Sequence, residues 1–427
     1  MTPLSSNHNY PQTKNQGTFL NSLPVKRLSG RIHLPASKSY SIRAFIIAAR
    51  GGKSQIKQPS DCEDAVVASS IGRALQAPNA PKVFSVGESG TTLRFLLPLL
   101  ALYTDKATVK GCGTLVGRPN KHLCAALRKQ GMDIKGSGEK ESVPIIFNGG
   151  ELRGGRVEVD GSLSSQFISA LLIALPTIKN GSRIILTGKE LVSQDYIQMT
   201  IQILAKAGIV VRRRSAREYV IEGGQTFKGL RNFYVPSDYG LAAFSMAAAA
   251  LLPSNVVLQG HLDDDFIQAD GHILAFMKRM GVSFEKTSRA IKIKGPFELK
   301  GGVFSLKNCP DLVPIMSILA LFAKGKTRLI DIHHARAKES DRISDLRKEL
   351  LKVGANVTET SDALTIDPRA SYKKGQLLDA HHDHRLAMAF TVLGTRIGCR
   401  VKGIESSHKS YPNFVNDMKA LGALQIV

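Results

Sequence analysis

The stretch LPASKSYSIRAFIIAAR, Leu34–Arg50, opens as a polar, charged turn and becomes a run of small and aliphatic residues. Ser37 is a helix-capping residue type, and the apolar run behind it predicts a helix buried in a core. Lys38, Ser39 and Arg43 stand at its mouth. Burying such charges unpaired is costly, so the start of this helix is expected at a surface while the rest lies inside.

The same pattern returns five times, as FSVGESGTTLRFLLPLLAL, VEVDGSLSSQFISALLIAL, FYVPSDYGLAAFSMAAAALL, FSLKNCPDLVPIMSILALF and LLDAHHDHRLAMAFTVLG. With Ser37, Gly90, Ser164, Asp238, Asp311 and Asp383 as anchors at the helix starts, the separations are 53, 74, 74, 73 and 72 residues. Between anchors lies a second pattern: a strand, a polar loop, then an amphipathic helix ending near Gly. Examples are HLCAALRKQGMDI, IQILAKAGIVV, ILAFMKRMGVSF, LRKELLKVGANV and VNDMKALGALQI. Cations in the last turn and a Gly stop fit a helix C-terminus. Each unit therefore reads strand, buried helix, strand, exposed helix, strand.

Units of about 70 residues are too long for an ordinary solenoid. They bury their small-residue helices by packing on neighbours, and six divide into two lobes of three, with the divide near Val235. The expected fold is α/β, two similar lobes with buried parallel helices. Parallel helices would aim several N-termini the same way, and their unsatisfied N–H groups and partial positive charge attract an anion.

Composition narrows the function classes. The 427 residues carry 58 Lys and Arg against 35 Asp and Glu, a formal charge of +23, which favours anionic partners such as nucleic acid, membrane surfaces or small phosphates and carboxylates. The basic residues are interspersed, and the densest cluster, Arg212 to Arg214, reads as a solvated strand face. Residues 1–23 are polar and are expected to form a flexible tail without the apolar core of a signal peptide. No apolar run reaches the roughly 18 residues of a membrane span. The five cysteines have no CxxC or zinc spacing, so reduced thiols in the cytoplasm are the simplest reading.

The turns carry the chemistry. Unit one offers Lys38, Ser39 and Arg43. Unit two offers Gly90, Thr91 and Arg94, with Arg118 in GTLVGRPNKHL. Unit three offers Ser164, Ser165 and Gln166, then Ser193 and Tyr196 in LVSQDYI. Hydroxyls, an amide and guanidiniums suit phosphate and polyol recognition. The second half brings carboxylates beside cations: Asp311 in NCPDLVP, Lys338, Glu339 and Arg342 in HHARAKESDRI, His384 and Arg385 in HHDHRLAM, and Lys409 in SSHKSYPNF. That mixture suits proton transfer around an anionic substrate. The compact HHDH run has no partner motif for a metal, and GxxxxGK[ST] is not found.

LPASKSYSIRA, SGTTLR, GRP, GSLSSQF, LVSQDYI, PDLVPIM, AKESDR, DHRLAMA and KSYPNF, in this order, closely resemble the motif set of the 5-enolpyruvylshikimate-3-phosphate synthase family of enolpyruvyl transferases. The resemblance spans nearly the whole chain after the tail. It implies two lobes of three βαβαββ-type units around a cleft that closes on substrates: 35–235 as the first lobe, and 24–34 plus 236–427 as a discontinuous second lobe. It implies transfer of the enolpyruvyl group of phosphoenolpyruvate to the 5-hydroxyl of shikimate 3-phosphate, on the route to chorismate and aromatic amino acids. It also implies no metal or organic cofactor, no nucleic-acid or membrane partner, a cytoplasmic monomer, and a target of glyphosate.

Carried over residue by residue, the resemblance implies that Lys38, Ser39, Arg43, Ser164, Ser165, Gln166, Ser193, Tyr196, Asp311, His334 and Lys338 hold shikimate 3-phosphate. Lys38, Gly90, Arg118, Gln166, Arg342, Arg385 and Lys409 would hold phosphoenolpyruvate. Asp311 would accept the attacking hydroxyl's proton, Glu339 would protonate the methylene carbon, and Lys38 would assist. Two positions depart from the commoner family pattern: Glu88 precedes the SGT turn where Asn or a small polar residue is frequent, and His334 stands where Asn is common. The first bears on phosphoenolpyruvate affinity or glyphosate response, the second on one shikimate contact. Gly90 is the small residue expected of a glyphosate-sensitive site. The rival readings are a UDP-N-acetylglucosamine enolpyruvyl transferase and a nucleic-acid-binding protein. The sister transferase resembles this chain less, since it typically follows the lysine with Asn, where this chain has Ser39; Cys112 near the GRP loop is the feature it would use.

Overall fold

The computed structural model describes residues 18–424. Expectations for residues 1–17 and 425–427 lie outside them. Twelve α-helices follow one another among the described residues: α1 (Lys38–Ala48), α2 (Glu63–Gln76), α3 (Gly90–Tyr103), α4 (Lys121–Lys129), α5 (Ser165–Ala174), α6 (Gln194–Lys206), α7 (Tyr239–Leu251), α8 (His272–Arg279), α9 (Val313–Leu321), α10 (Arg342–Lys352), α11 (His384–Ile397) and α12 (Phe414–Ala420). The odd-numbered helices are the small-residue runs of the repeat. Every residue of α7 and α9 is buried, and so is all of α5 except Gln166. The even-numbered helices are amphipathic. Five of them stop at a glycine with positive φ, at Gly131, Gly208, Gly281, Gly354 and Gly422, where an L side chain would be strained.

The N-terminal caps follow the repeat with two exceptions. Ser37, Ser164, Asp238 and Asp383 each accept a backbone N–H of their own first turn. In unit two the cap is Ser89, so the anchor Gly90 is the first helical residue. Asp311 caps nothing. It sits in a one-turn 3-10 segment, Pro310–Leu312, ahead of α9, because Pro310 and Pro314 remove backbone donors there. Its carboxylate is thereby left for side-chain partners.

Four sheets share one strand order. Val83–Ser85 runs parallel to Ala107–Lys110, which pairs antiparallel with Ser142–Gly150, and that strand with Met132–Ser137. The sheets of Gly155–Asp160 and Val303–Ser305 repeat this arrangement. Here the strand, helix, strand, helix, two-strand unit is contiguous. Elsewhere strands are exchanged. Leu28–His33, the strand before α1, pairs over six residues with Ser254–Gln259, which follows α7. Phe233–Tyr234, before α7, pairs with Ile56–Lys57, which follows α1. A unit read strictly along the sequence would have kept each strand with its own helix. The last sheet, Gln376–Asp379 beside Cys399–Lys402, takes its antiparallel strand from Phe19–Ser22 at the opposite chain end. The expected tail 1–23 is corrected here: four of its residues form an edge strand, with Ser22 buried beneath α11 and its hydroxyl donating to the Thr391 carbonyl.

Two hydrophobic cores result. One gathers buried residues between Tyr40 and Val235, the other Leu28, Ile32 and Leu34 with residues from Tyr239 to Leu424. The chain passes between them at LPAS (34–37) and VPSD (235–238). These two passages lie side by side: the Ser37 N–H donates to the Pro236 carbonyl at 2.7 Å, and the Asp238 N–H to the Pro35 carbonyl at 3.0 Å. No helix among the described residues is long and apolar enough to cross a membrane.

Candidate active site

The helix N-termini of the first lobe converge on a pocket closed from the other side by the second. It is lined by Lys38, Ser39, Arg43, Gly90, Arg118, Ser164, Ser165, Gln166, Ser193 and Tyr196, facing Asp311, Lys338 and Glu339. Asp64 and Thr91 also line it. Most sequence-predicted residues therefore meet at one place. Arg342, Arg385, Lys409 and His334 do not line this pocket; they lie behind or beside it.

Each cation is held by its fold neighbours. Lys38, the first residue of α1, donates to Asp64 at 3.1 Å. Arg43 donates to the Thr200 hydroxyl at 2.8 Å and to the Ser39 carbonyl at 3.0 Å, with its plane against Tyr196 and Phe95. Arg94 bridges Asn120, Pro119 and the Gln166 side-chain carbonyl, and Gln166 in turn donates to Thr91 at 2.9 Å. Gln166 is thus fixed as the one unburied residue of α5. A Cβ at Gly90 would sit 2.9 Å from an Arg118 guanidinium nitrogen, so Gly90 lets Arg118 lie on the start of α3.

The second lobe contributes a buried charge network centred on Arg342, which is 0 % exposed. Its guanidinium donates to Asp311 at 2.7 Å, to Glu339 at 2.8 Å and to Asp383 at 2.7 Å. Arg385 donates to the Gly240 carbonyl at 2.7 Å and to Asp311 at 3.2 Å. Lys338 lies 3.8 Å from Asp311. Burial opposes ionisation of Asp311, but Arg342, Lys338 and Arg385 outweigh it and hold the carboxyl well below its ordinary range. Glu339 behaves alike: burial raises it, while Arg118 and then Arg342 pull it well below. Burial lowers Lys338. His334 has no partner for either ring nitrogen, and burial followed by Lys338 drives its pKa far down, so it is neutral. It borders a small annex of the pocket with Lys338 and Arg118.

Two contacts between the lobes lie beside Asp311 and Glu339. Arg118 reaches Glu339 at 3.4 Å, and Tyr196 donates to Asp270 at 3.2 Å. The HHDH run divides its duties. His381 and His382 have positive φ in the turn, Asp383 caps α11 and binds Arg342, and His384 is buried. Glu339, Asp383 and His384 bring one donor atom each within 4.8 Å of one another, but the Arg342 guanidinium already supplies the cation between the two carboxylates.

Sequence reasoning missed Asp64, Asp270 and the pairing role of Asp383. Asp270 lies in IQADGHIL, which carries no signal of its own; only tertiary contact with Tyr196 and Arg385 identifies it. Burial, then Asp311 and Asp238, push its pKa up to about 7 against Arg385 and the Tyr196 hydrogen bond. An unfolded Asp titrates near about 3.9. Between about pH 4 and 7 the folded chain holds a proton that the unfolded chain has lost, so this group's stabilisation fades as pH rises through that window. Asn at 270 cannot titrate. Thermal midpoints followed by circular dichroism, since the chain has no Trp, should show wild type losing stability relative to Asp270→Asn from pH 5 to 8. Parallel curves would refute the assignment.

A two-lobed α/β fold with helix N-termini and cations facing buried carboxylates across a cleft defines the enolpyruvyl transferase class. Residues 55–418 match the family of EPSP synthase (3-phosphoshikimate 1-carboxyvinyltransferase). Among similar curated proteins, the 3-phosphoshikimate 1-carboxyvinyltransferase of Methanococcus maripaludis strain S2 is 34% identical over 421 residues, covering 93% of this chain and 97% of its own. That of Clostridium perfringens is 32% identical over 422 residues with the same coverage. A solved EPSP synthase of Acinetobacter baumannii superposes with a TM-score of 0.76 at 25% identity, covering 95% of this chain and 98% of its own. The chain belongs to the EPSP synthase family.

Proposed function

We propose that this chain transfers the enolpyruvyl group of phosphoenolpyruvate to the 5-hydroxyl of shikimate 3-phosphate and releases inorganic phosphate. The observation that carries the reading is the meeting of Lys38, Arg118 and Gln166 from one lobe with Asp311 and Glu339 from the other around one pocket. The lobes 35–235 and 24–34 plus 236–427 are the two bodies that close, with the paired passages at 34–37 and 235–238 as the hinge.

In addition, the hydroxyl oxygen bonds to C2 of phosphoenolpyruvate while a proton reaches C3. In elimination, a methyl proton leaves, the double bond re-forms and phosphate departs. Asp311 is ionised and accepts the hydroxyl proton, with Lys338 and Arg385 beside it to steady the charge. Glu339 serves the methylene carbon. Without substrate its carboxyl is depressed chiefly by Arg118 once burial is overcome. A phosphate taking Arg118 weakens that depression while Arg342 keeps its share, so binding itself shifts Glu339 toward carrying a proton. Ser164, Ser165, Ser193 and Tyr196 supply hydroxyls for the shikimate ring, and Ser39 and Arg43 flank its phosphate. Arg342, Arg385 and Lys409 line up behind the phosphoenolpyruvate half. Both substrates are anions, and charge-assisted hydrogen bonds of about 1.5–3 kcal/mol each outweigh the helix-end contributions of roughly 0.3–1 kcal/mol.

Phosphate release with both substrates present tests this. Lys38→Met should cut turnover by about 10²-fold, the scale of losing one charged contact to a transition state, with the melting curve retained. No phosphate from folded wild-type chain would end the reading. Turnover of UDP-N-acetylglucosamine in place of shikimate 3-phosphate would favour the sister transferase. Burial and Glu88 raise the thiol of Cys112, the opposite of an activated cysteine, which supports the shikimate reading.

A further inference from the structure

Glu88 has a place built for it. Its carboxylate accepts the Thr114 backbone N–H at 2.9 Å, the Thr114 hydroxyl at 2.7 Å and the Lys409 ammonium at 2.9 Å. Lys409 donates a second time, to the Thr114 hydroxyl, at 2.7 Å. Residue 113 must be small for this: a Cβ there would lie 2.3 Å from the Glu88 carboxyl carbon, and Gly113 has φ +53°. The Cys112 N–H donates to the Gly87 carbonyl at 2.9 Å, so the 112–118 loop is tied to the Glu88 turn at two successive points. That turn starts α3 at Gly90, and the loop ends in Arg118. Lys409 comes from the other lobe and is 5 % exposed.

An ammonium has three donors. Glu88 and Thr114 take two, which leaves one. We propose that Glu88 is a positioning residue that locks Lys409 to the Arg118 loop across the cleft, so that the remaining Lys409 donor and the Arg118 guanidinium face the same anionic group of phosphoenolpyruvate. This rests on the function proposed above. Glu88 does not line the pocket; it acts through Lys409 and Thr114. The commoner Asn lacks the charge that holds the ammonium, so this chain trades a short polar side chain for a cross-lobe ion pair.

Steady-state kinetics of Glu88→Ala and Glu88→Gln test it. Glu88→Ala should raise KM for phosphoenolpyruvate about tenfold, with kcat and KM for shikimate 3-phosphate within about twofold. Glu88→Gln keeps an acceptor oxygen without the charge and should recover only part of the loss. A second readout does not need activity. Cys112 is the exposed cysteine of the five, and its alkylation rate reports the tie of the 112–118 loop. Both variants remove the same charge, so alkylation faster in Glu88→Ala than in Glu88→Gln reads the lost hydrogen bonds alone. An unchanged phosphoenolpyruvate KM in Glu88→Ala, equal losses for both substrates, or equal alkylation in the two variants would overturn the proposal. A wild-type chain that releases no phosphate would sink the function while the alkylation comparison still judged Glu88.

Discussion

Glu339→Gln is expected to lower kcat by about 10²–10⁴, the usual range for a lost proton-transfer group, while KM for both substrates stays within a few fold. The amide keeps the size of Glu339 and can still meet Arg342 and Arg118 through its oxygen. What it loses is the proton. The carboxylate lies between Arg342 at 2.8 Å and Arg118 at 3.4 Å, from opposite lobes. It therefore joins the two lobes through Arg118. A single-turnover experiment separates chemistry from product release. If the variant turns over within fivefold of wild type, Glu339 is an ion-pair partner of the clamp and another group protonates the methylene carbon.

Arg342→Met should be the most destabilising single change in the site. Methionine fills comparable space but leaves Asp311, Glu339 and Asp383 buried together without their common cation. Breaking a buried pair from one side costs about 3–5 kcal/mol. The pH dependence has a definite sign. In wild type, Asp311 and Glu339 have depressed folded values, so their stabilisation is fully present above the ordinary carboxylate range and is lost as pH falls from that range down through the depressed folded values. In the variant these carboxyls rise and take up protons, which relieves the repulsion. The difference in unfolding free energy between wild type and variant should thus be larger at pH 8 than at pH 5, measured by denaturant titration with circular dichroism. A gap that is constant with pH, or under about 1 kcal/mol, would mean that Asp311 and Glu339 are not held ionised by Arg342.

Much of the site was legible because its residues sit at repeated local positions. Lys38 follows a cap, Gly90 opens α3, Gln166 follows the Ser164 cap and Arg385 follows the Asp383 cap. A helix start is encoded over three or four residues, so it survives in a one-dimensional pattern. Glu88 was visible only as a departure from the family motif; its partners lie 26 and 321 residues away. Asp64 has no local signal in the sequence, and only its contact with Lys38 places it at the site. Asp311 had been placed at a cap by analogy with its siblings, and the two prolines around it broke the analogy.

The sequence alone determined the local grammar of this protein: buried small-residue helices alternating with amphipathic ones, glycine stops, and cations or hydroxyls at the buried helices' mouths. Each depends on contacts within a turn or two of chain. Tertiary structure decided the exchange of strands 28–33 and 233–234 between the two cores, the enlistment of Phe19–Ser22 into the last sheet, and the charge states at the cleft. Arg342 meets Asp383 across 41 residues, and Arg118 meets Glu339 across 221. A carboxyl's ionisation follows from which charges surround it in space and how much water they exclude, and neither quantity is written in the order of the residues.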